Sequence, residues 1–265
     1  MIDLHSHIIP GVDDGASDLN TSLQILGEME QKGVKKVAAT PHYPLYGNEN
    51  YQREYKIKLN KLQTRARENN LKIEIVSGSE IMMVPELSRL YYNDQLISLH
   101  KTDYLLLELG LSTFPDYFAD IIHDLKSMGA EIIIAHPERY HYIQSDYTML
   151  YEWLQKHQIK IMLNSSSLTG AHGKRAAKTA LKLIEMGLVH LMASDTHGIK
   201  KRPFSLDQGL KAAEKIRAGS STILKENAEA VLKNQPLNNL ELKKEEKAMF
   251  SKVFSFINVA GGFLN

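Results

Sequence analysis

Residues 128–139 read MGAEIIIAHPER: a glycine, an apolar run, then an imidazole followed by a carboxylate and a guanidinium. Gly129 suits a helix stop that tolerates positive φ. Residues 132–135 (IIIA) have the β-branched, apolar character of a buried strand, and His136 stands where that strand would end. Upstream, over residues 116–128, Tyr117, Ile121, Ile122 and Leu125 recur about once per helical turn, the pattern of an amphipathic helix. One helix, one turn and one strand with a reactive side chain at its C-terminal end are legible in this stretch.

The rest of the chain repeats that grammar. Apolar runs occupy residues 1–4, 34–39, 73–76, 104–107, 159–163 and 188–193, making seven candidate strands with 132–135. Leu19, Leu23, Leu26 and Met29 mark a helix over 18–32, Gly33 and Gly187 punctuate two more helix-to-strand turns, and 203–234 is helical in pattern. Alternating strands and helices predict an α/β fold with a parallel sheet, and seven units suggest a TIM-like barrel closed or nearly closed on itself. A doubly wound open sheet fits the same alternation.

The chain has 265 residues, 43% of them hydrophobic, enough for one large α/β domain. Lys and Arg number 32 against 31 Asp and Glu, so no global field draws the chain to nucleic acid or anionic membrane, and any affinity for phosphate must be local. Without cysteine, disulfides, thiolate ligands and cysteine-nucleophile phosphatase chemistry are excluded. The opening MIDLHSHIIPGVDDGA lacks the layout of a signal peptide, and no stretch approaches the ~20 apolar residues of a membrane span, so a cytoplasmic protein is expected. The barrel is expected over residues 1–235. Residues 236–265 form a tail of unassigned role: 239–248 (NLELKKEEKA) is dense in charge, and 251–265 (SKVFSFINVAGGFLN) is apolar but too short to span a bilayer.

Six of the seven runs are followed by potential ligands: DLHSH, TPH, SGSE, LELG, AHPER and SDTH. In parallel β/α architectures the C-terminal strand ends share one mouth, so His5, His7, Asp14, His42, Glu80, Glu108, His136, Asp195 and His197 are expected to converge there. Any one of them alone is more often a hydrogen-bonded structural residue. The pair His5 and His7 is stronger, because a period of two puts both on one strand face, and six strand ends together point to metal. Five imidazoles and four carboxylates exceed the needs of one tetrahedral ion, which implies two or three divalent ions. Nitrogen and oxygen donors without sulfur suit Mn, Fe, Zn or Co, and the carboxylate share puts Mn2+ first. His100, His123, His141, His157, His172 and His190 read as ordinary.

The ordered set DLHSH, TPH, SGSE, AHPER and SDTH resembles the polymerase and histidinol phosphatase (PHP) superfamily. HIIPGVDDGA, TPHY, AHPERY and SDTHG look more closely like its bacterial protein-tyrosine phosphatases of capsule and exopolysaccharide gene clusters, the CpsB/YwqE-like branch, over about residues 1–235. The resemblance implies a distorted (β/α)7 barrel with a trinuclear centre. His5, His7, Glu80 and Asp195 would hold one ion, Glu80 would bridge to a second held by Glu108 and His136, and Asp14, His42 and His197 would hold the third. Glu108 stands where other branches usually have histidine, which fits the tyrosine-phosphatase branch. Residues beyond about 236 depart from the short basic and aromatic tail usual in the family.

The activity so implied is metal-dependent hydrolysis of phosphotyrosine on the tail of a cognate bacterial tyrosine kinase. A small-molecule phosphatase, such as one for histidinol phosphate, is the alternative. A nuclease is disfavoured by the balanced charge, and a purely structural centre by its size. Arg139, three residues past His136, and Arg202, five past His197, are the candidate phosphate-binding forks. Tyr43, Tyr46, Tyr140 and Phe204 flank proposed ligands and could line an aromatic rim, although loop or core packing is the commoner role for any one of them, and Asp13 and Asp116 could reject wrong substrates. A phenol of pKa ~10 leaves without much help, so no general acid is named.

Overall fold

A computed structural model of the chain describes residues 1–44 and 50–240. The strands are β1 (Ile2–Ser6), β2 (Lys36–Ala39), β3 (Glu74–Ser77), β4 (Glu80–Met82), β5 (Tyr104–Glu108), β6 (Glu131–Ala135), β7 (Lys160–Asn164) and β8 (Leu191–Ala193). The helices are α1 (Leu19–Gln31), α2 (Tyr51–Glu68), α3 (Leu87–Tyr92), α4 (Phe118–Ser127), α5 (His141–Ser145), α6 (Met149–Lys156), α7 (Gly173–Glu185), α8 (Leu206–Ile216) and α9 (Ser220–Leu232). All named strand pairs are parallel, in the orders β1-β2-β3 and β4-β5-β6-β7-β8.

The two sheets are one wall. The third expected run, 73–76, forms β3, and after a break at Gly78 and Ser79 the chain resumes as β4, so that β3 pairs with β2 and β4 with β5. Gly78 permits the break: a Cβ there would lie 2.8 Å from Thr40 Cγ2 and 2.9 Å from Leu99 Cδ2. Beyond it, Tyr43 N donates to Glu80 O and Glu80 N to Pro41 O, carrying the β2 side of the wall past the break. The wall closes where Asp195 N donates to His5 O and His7 N to Thr196 O, joining the end of β8 to β1. With β3 and β4 as one bent stave, the result is the expected seven-stave barrel.

Side-chain alternation separates inside from outside. Leu4, Ala38, Val76, Leu106, Ile133, Met162 and Leu191, one from each stave, belong to one apolar cluster, whereas their strand neighbours Val37, Ile75, Leu105, Ile132, Ile161 and Met192 pack with the helices. Ala228 and Val231 of α9 and Leu237 join the inner cluster, so α9 and the chain after it close the end opposite the strands' C-termini.

The helices follow from local rules. Asp18 caps α1 by accepting from Thr21 N at 2.9 Å, and Ile25, Leu26 and Met29 bury its inner face. Gly33, Gly129 and Gly187 all take positive φ after a helix. The helical stretch expected over 203–234 is two helices, α8 and α9, broken at Arg217–Gly219. Packing continues past residue 235: Leu237 and Leu240 are buried, and Asn238 N donates to Asn227 Oδ1. Of the tail, residues 241–265 lie outside the described part, as does Tyr46. Among the described residues no helix is long and apolar enough to cross a membrane.

His190, read from sequence as ordinary, holds this end together. Its Nδ1 accepts from Ile161 N at 3.2 Å and its Nε2 donates to Asn239 Oδ1 at 3.0 Å. Burial, then repulsion from Lys160, lowers its pKa from an ordinary 6.5 to about 4. Between those values the unfolded chain binds a proton that the folded chain does not, so stability falls as pH drops through that window. His190 accounts for roughly 3 kcal/mol of the loss. Urea midpoints from pH 7 to 4 should show a flatter dependence in His190→Gln than in the parent; parallel curves would reject this role.

Candidate metal centre

All nine expected ligands lie at the mouth formed by the C-terminal strand ends. Glu80, at the start of β4, is the hub: its carboxylate oxygens lie 3.1 Å from His5 Nε2, 3.3 Å from His7 Nε2, 3.1 Å from His42 Nδ1 and 2.8 Å from His136 Nε2. Asp195 Oδ1 lies 3.3 Å from both His5 Nε2 and His7 Nε2. Glu108 reaches His136 Nε2 at 3.6 Å and His42 Nδ1 at 3.7 Å. Asp14 lies 3.2 Å from His197 Nε2 and 3.6 Å from His42 Nε2.

Donor atoms gather in overlapping groups, each within 4.8 Å: His7, Asp14, His42 and His197; His5, His7 and Glu80; His5, His136 and Asp195; His42, Glu80 and Glu108. These groups overlap the partition implied by resemblance without reproducing it: His136 groups with His5 and Asp195 rather than with Glu80 and Glu108, His7 also faces the Asp14 group, and His42 takes a place beside Glu80 and Glu108. The donors suit cations on a second ground. His5 Nε2, His7 Nε2 and Asp195 Oδ1 are buried without a hydrogen-bond partner, and buried polar atoms facing one another unpaired are costly unless a cation is shared among them.

Local backbone geometry aims the ligands. His136 and Asp195 follow β6 and β8 at φ values of 36° and 52°, left-handed conformations that cost a non-glycine residue of order 1–3 kcal/mol. Both are held by the next stave, through His136 N to Met162 O and Asp195 N to His5 O. Gly15 lets the loop carrying Asp13 and Asp14 fold onto β1, since a Cβ there would fall 2.2 Å from His7 O.

Further side chains fix the ligands themselves. Thr40 Oγ1 lies 2.7 Å from His5 Nδ1, and Asp13 Oδ2 lies 2.7 Å from His7 Nδ1, so each imidazole turns Nε2 inward. Asp13 also accepts from His42 N and Gly15 N. Its place is behind His7, not on the substrate path suggested from sequence. Asn164, at the end of β7, the one run not followed by an ionisable ligand, donates through Nδ2 to Asp195 Oδ2 at 2.5 Å. Its backbone N donates to the buried Glu138, which also accepts from Ser167 Oγ. Thr40, Asn164 and Glu138 escaped the sequence reading, although Thr40 and Glu138 lie inside the quoted motifs.

Removing Asp13 leaves His7 Nδ1 without its orienting partner. Asp13→Ala is expected to weaken metal affinity about 10–100-fold, the usual scale for such supporting carboxylates, and titration with Mn2+ monitored by calorimetry would measure it. Parent-like affinity would remove Asp13 from the centre.

The charges are interdependent. Burial pushes the Glu80 and Asp195 carboxyls up, but His5 and the other imidazoles, with Arg202 for Asp195, outweigh it and hold both well below the carboxylate range. Burial lowers His7, yet Asp13, Asp195 and Glu80 together raise it well above the ordinary value. His197 goes the other way, to about 3, through burial and the positive charge of His7 and Arg202.

Arg139 Nη1 lies 3.4 Å from Asp195 Oδ2, and Arg202 meets the same oxygen while its Nη1 lies 2.7 Å from His197 Nε2. Both guanidiniums therefore line the ligand cluster on one side. His42 and Asp14, 43% and 56% exposed, lie where the mouth opens, whereas His5, His7, Glu80, His136 and Asp195 are buried. Of the aromatics that could line a rim, two pack in the core. Tyr140 is fully buried, donating to Ala135 O and accepting from Leu109 N, and Phe204 is a core residue under Lys32. Tyr43 is partly exposed, with its hydroxyl tied to Gln95 O, and Asp116 is exposed, with nothing tying it to the ligands.

Comparison with known proteins agrees with this geometry. The chain is 35% identical over 242 residues to the tyrosine-protein phosphatase YwqE of Bacillus subtilis (strain 168), covering 89% of this chain and 93% of that one. A crystal structure from work described as "Crystal structures of YwqE from Bacillus subtilis and CpsB from Streptococcus pneumoniae, unique metal-dependent tyrosine phosphatases" superposes with a TM-score of 0.85 at 33% identity, over 92% of this chain and 98% of that chain. An organophosphorus hydrolase mutant from Deinococcus radiodurans shares the fold alone, with a TM-score of 0.54 at 11% identity over 86% and 91% of the two chains. Residues 1–233 match the sequence profile of the capsular polysaccharide synthesis family CpsB/CapC, and the chain belongs to that family.

Proposed function

We propose that this chain is a metal-dependent tyrosine-protein phosphatase, with its catalysis lodged in residues 1–235 and a bacterial tyrosine kinase of capsule or exopolysaccharide synthesis as its substrate. The observation that carries the reading is the convergence of nine His, Asp and Glu side chains beside two arginines that share one oxygen of Asp195. Two or three ions, Mn2+ first among Mn, Fe, Zn and Co, match the mixed nitrogen and oxygen donors. When bound, such ions lower the pKa of water and neutralise phosphate oxygens.

The chain's own residues do the rest. Thr40 and Asp13 keep Nε2 of His5 and His7 turned inward. Arg139 and Arg202 offer planar forks to the oxygens of a phosphomonoester dianion at the edge of the cluster. The partly exposed Tyr43 is left to meet the phenyl ring. A phenolate is a better leaving group than an alkoxide, so less is asked of a protonating side chain.

Turnover of a phosphotyrosine peptide and of histidinol phosphate, each with Mn2+ and after chelation, tests the reading. Metal-dependent release of phosphate from the peptide is expected. Strong turnover of histidinol phosphate with none of the peptide would replace it with a small-molecule phosphatase.

A further inference from the structure

Past Arg139 the mouth continues into a side cleft of about 400 Å3. One wall comes from Leu111, after β5, and from His141 and Gln144 of α5; the other is the start of α7, with His172, Lys174 and Arg175. Every titratable side chain on these walls is basic, in a chain whose charges otherwise balance at 32 against 31.

Lys174 and Arg175 lack the local pairing that some helix cations have: Arg65 pairs with Glu68 on α2, Lys156 with Glu152 on α6, and Lys32 with Glu28 at the end of α1, whereas Lys211 and Lys215 on α8 are, like them, without such a partner among the described residues. Lys174 and Arg175 are exposed, and no described carboxylate pairs with either. They also occupy the first turn of α7, which contains no acidic residue. Cations are least favourable at that end of a helix dipole, so local stability does not account for two of them there. An anion between them would relieve their repulsion.

Arg139 belongs both to this cleft and to the ligand cluster, where Asp195 holds it. A substrate phosphate at Arg139 and a second negative group between Lys174 and Arg175 would therefore belong to neighbouring parts of one molecule. His172 adds shape more than charge: its Nε2 is 3.0 Å from Ser166 Oγ, and burial followed by the nearby Arg139 and Arg202 charges lowers its pKa to about 4.

Resting on the phosphatase reading, we propose that the cleft is a docking subsite for an acidic side chain of the substrate polypeptide. An Asp or Glu within a few residues of the phosphotyrosine is gripped by Lys174 and Arg175, so that flanking acidity selects among phosphotyrosines.

The test compares kcat/KM for phosphotyrosine peptides flanked by Glu or by Ala, a peptide with a second phosphotyrosine in place of the Glu, and para-nitrophenyl phosphate. The enzymes are the parent, the double variant Lys174→Ala with Arg175→Ala, and Arg175→Glu. The parent should prefer the Glu peptide over the Ala peptide about tenfold, the scale of one charge-assisted contact. The double variant should lose that preference, Arg175→Glu should abolish or reverse it, and both should hydrolyse para-nitrophenyl phosphate within about twofold of the parent.

A Glu-to-Ala ratio unchanged in the variants would overturn the subsite. Equal losses on the peptides and on para-nitrophenyl phosphate would do the same by assigning the effect to the centre. A preference for the second phosphotyrosine with none for Glu would overturn the carboxylate in favour of a phosphate. If no phosphotyrosine substrate is turned over by any enzyme, the phosphatase reading itself fails, a result distinct from an unchanged ratio.

Discussion

Glu80→Gln should lower kcat on a phosphotyrosine peptide by about a thousandfold or more at saturating Mn2+, the effect of losing several kcal/mol of charge stabilisation in a metal site. Glu80 is the carboxylate that faces four imidazoles, those of His5, His7, His42 and His136, at 2.8–3.3 Å. Glutamine keeps the volume and one acceptor oxygen but removes the charge on which those imidazoles converge. Metal content should fall together with activity, because a neutral amide would hold a divalent cation more weakly than a carboxylate does. The fold should survive, since Glu80 holds the wall through its backbone bonds to Pro41 and Tyr43. Steady-state kinetics, plasma-emission metal analysis and circular dichroism would separate these effects. Activity within tenfold of the parent at full metal content would displace Glu80 from the hub.

Arg139→Ala should reduce kcat/KM about 100-fold, mainly through KM, with metal content unchanged. Of the two arginines it is the more loosely held: one contact of 3.4 Å to Asp195, against contacts of Arg202 to both Asp195 and His197. Its guanidinium can therefore turn to a phosphate with little lost. Charge-assisted pairs to a dianion are worth about 1.5–3 kcal/mol, which sets the scale. Arg139→Lys should recover only part of the loss, because an ammonium cannot form the planar two-point contact. Unaltered KM and kcat in Arg139→Ala would reject a role in holding phosphate, and a fall in metal content would instead assign it to the support of Asp195.

Much of the site was legible because its ligands follow strands. Each apolar run ends by a local rule, and the residue after it is read directly. The one run without an ionisable follower concealed Asn164, whose importance rests on a contact with Asp195, 31 positions away. Tyr140 and Phe204 take the commoner of the two readings open to them, core packing rather than the rim, because sequence adjacency to a ligand says nothing of which way a ring turns. Tyr140 turns inward because Ala135 O and Leu109 N satisfy its hydroxyl in the core. The support that Asp13 gives is hidden in the sequence because its partner, the far nitrogen of His7, comes within reach only once the loop folds back over Gly15.

By itself the sequence determined the alternation of strands and helices, the seven staves and the placing of His5, His7, Asp14, His42, Glu80, Glu108, His136, Asp195 and His197 near their ends. Those features depend on side-chain periods and turn residues, which act over a few positions. Tertiary structure alone decided that the third stave breaks at Gly78, that Glu80 rather than Asp195 meets four imidazoles, and that His136 and Asp195 are held at positive φ. Such choices rest on contacts between residues far apart in the chain, as in Asp195 N to His5 O across 190 positions. They are made by closure of the barrel, which no local pattern encodes.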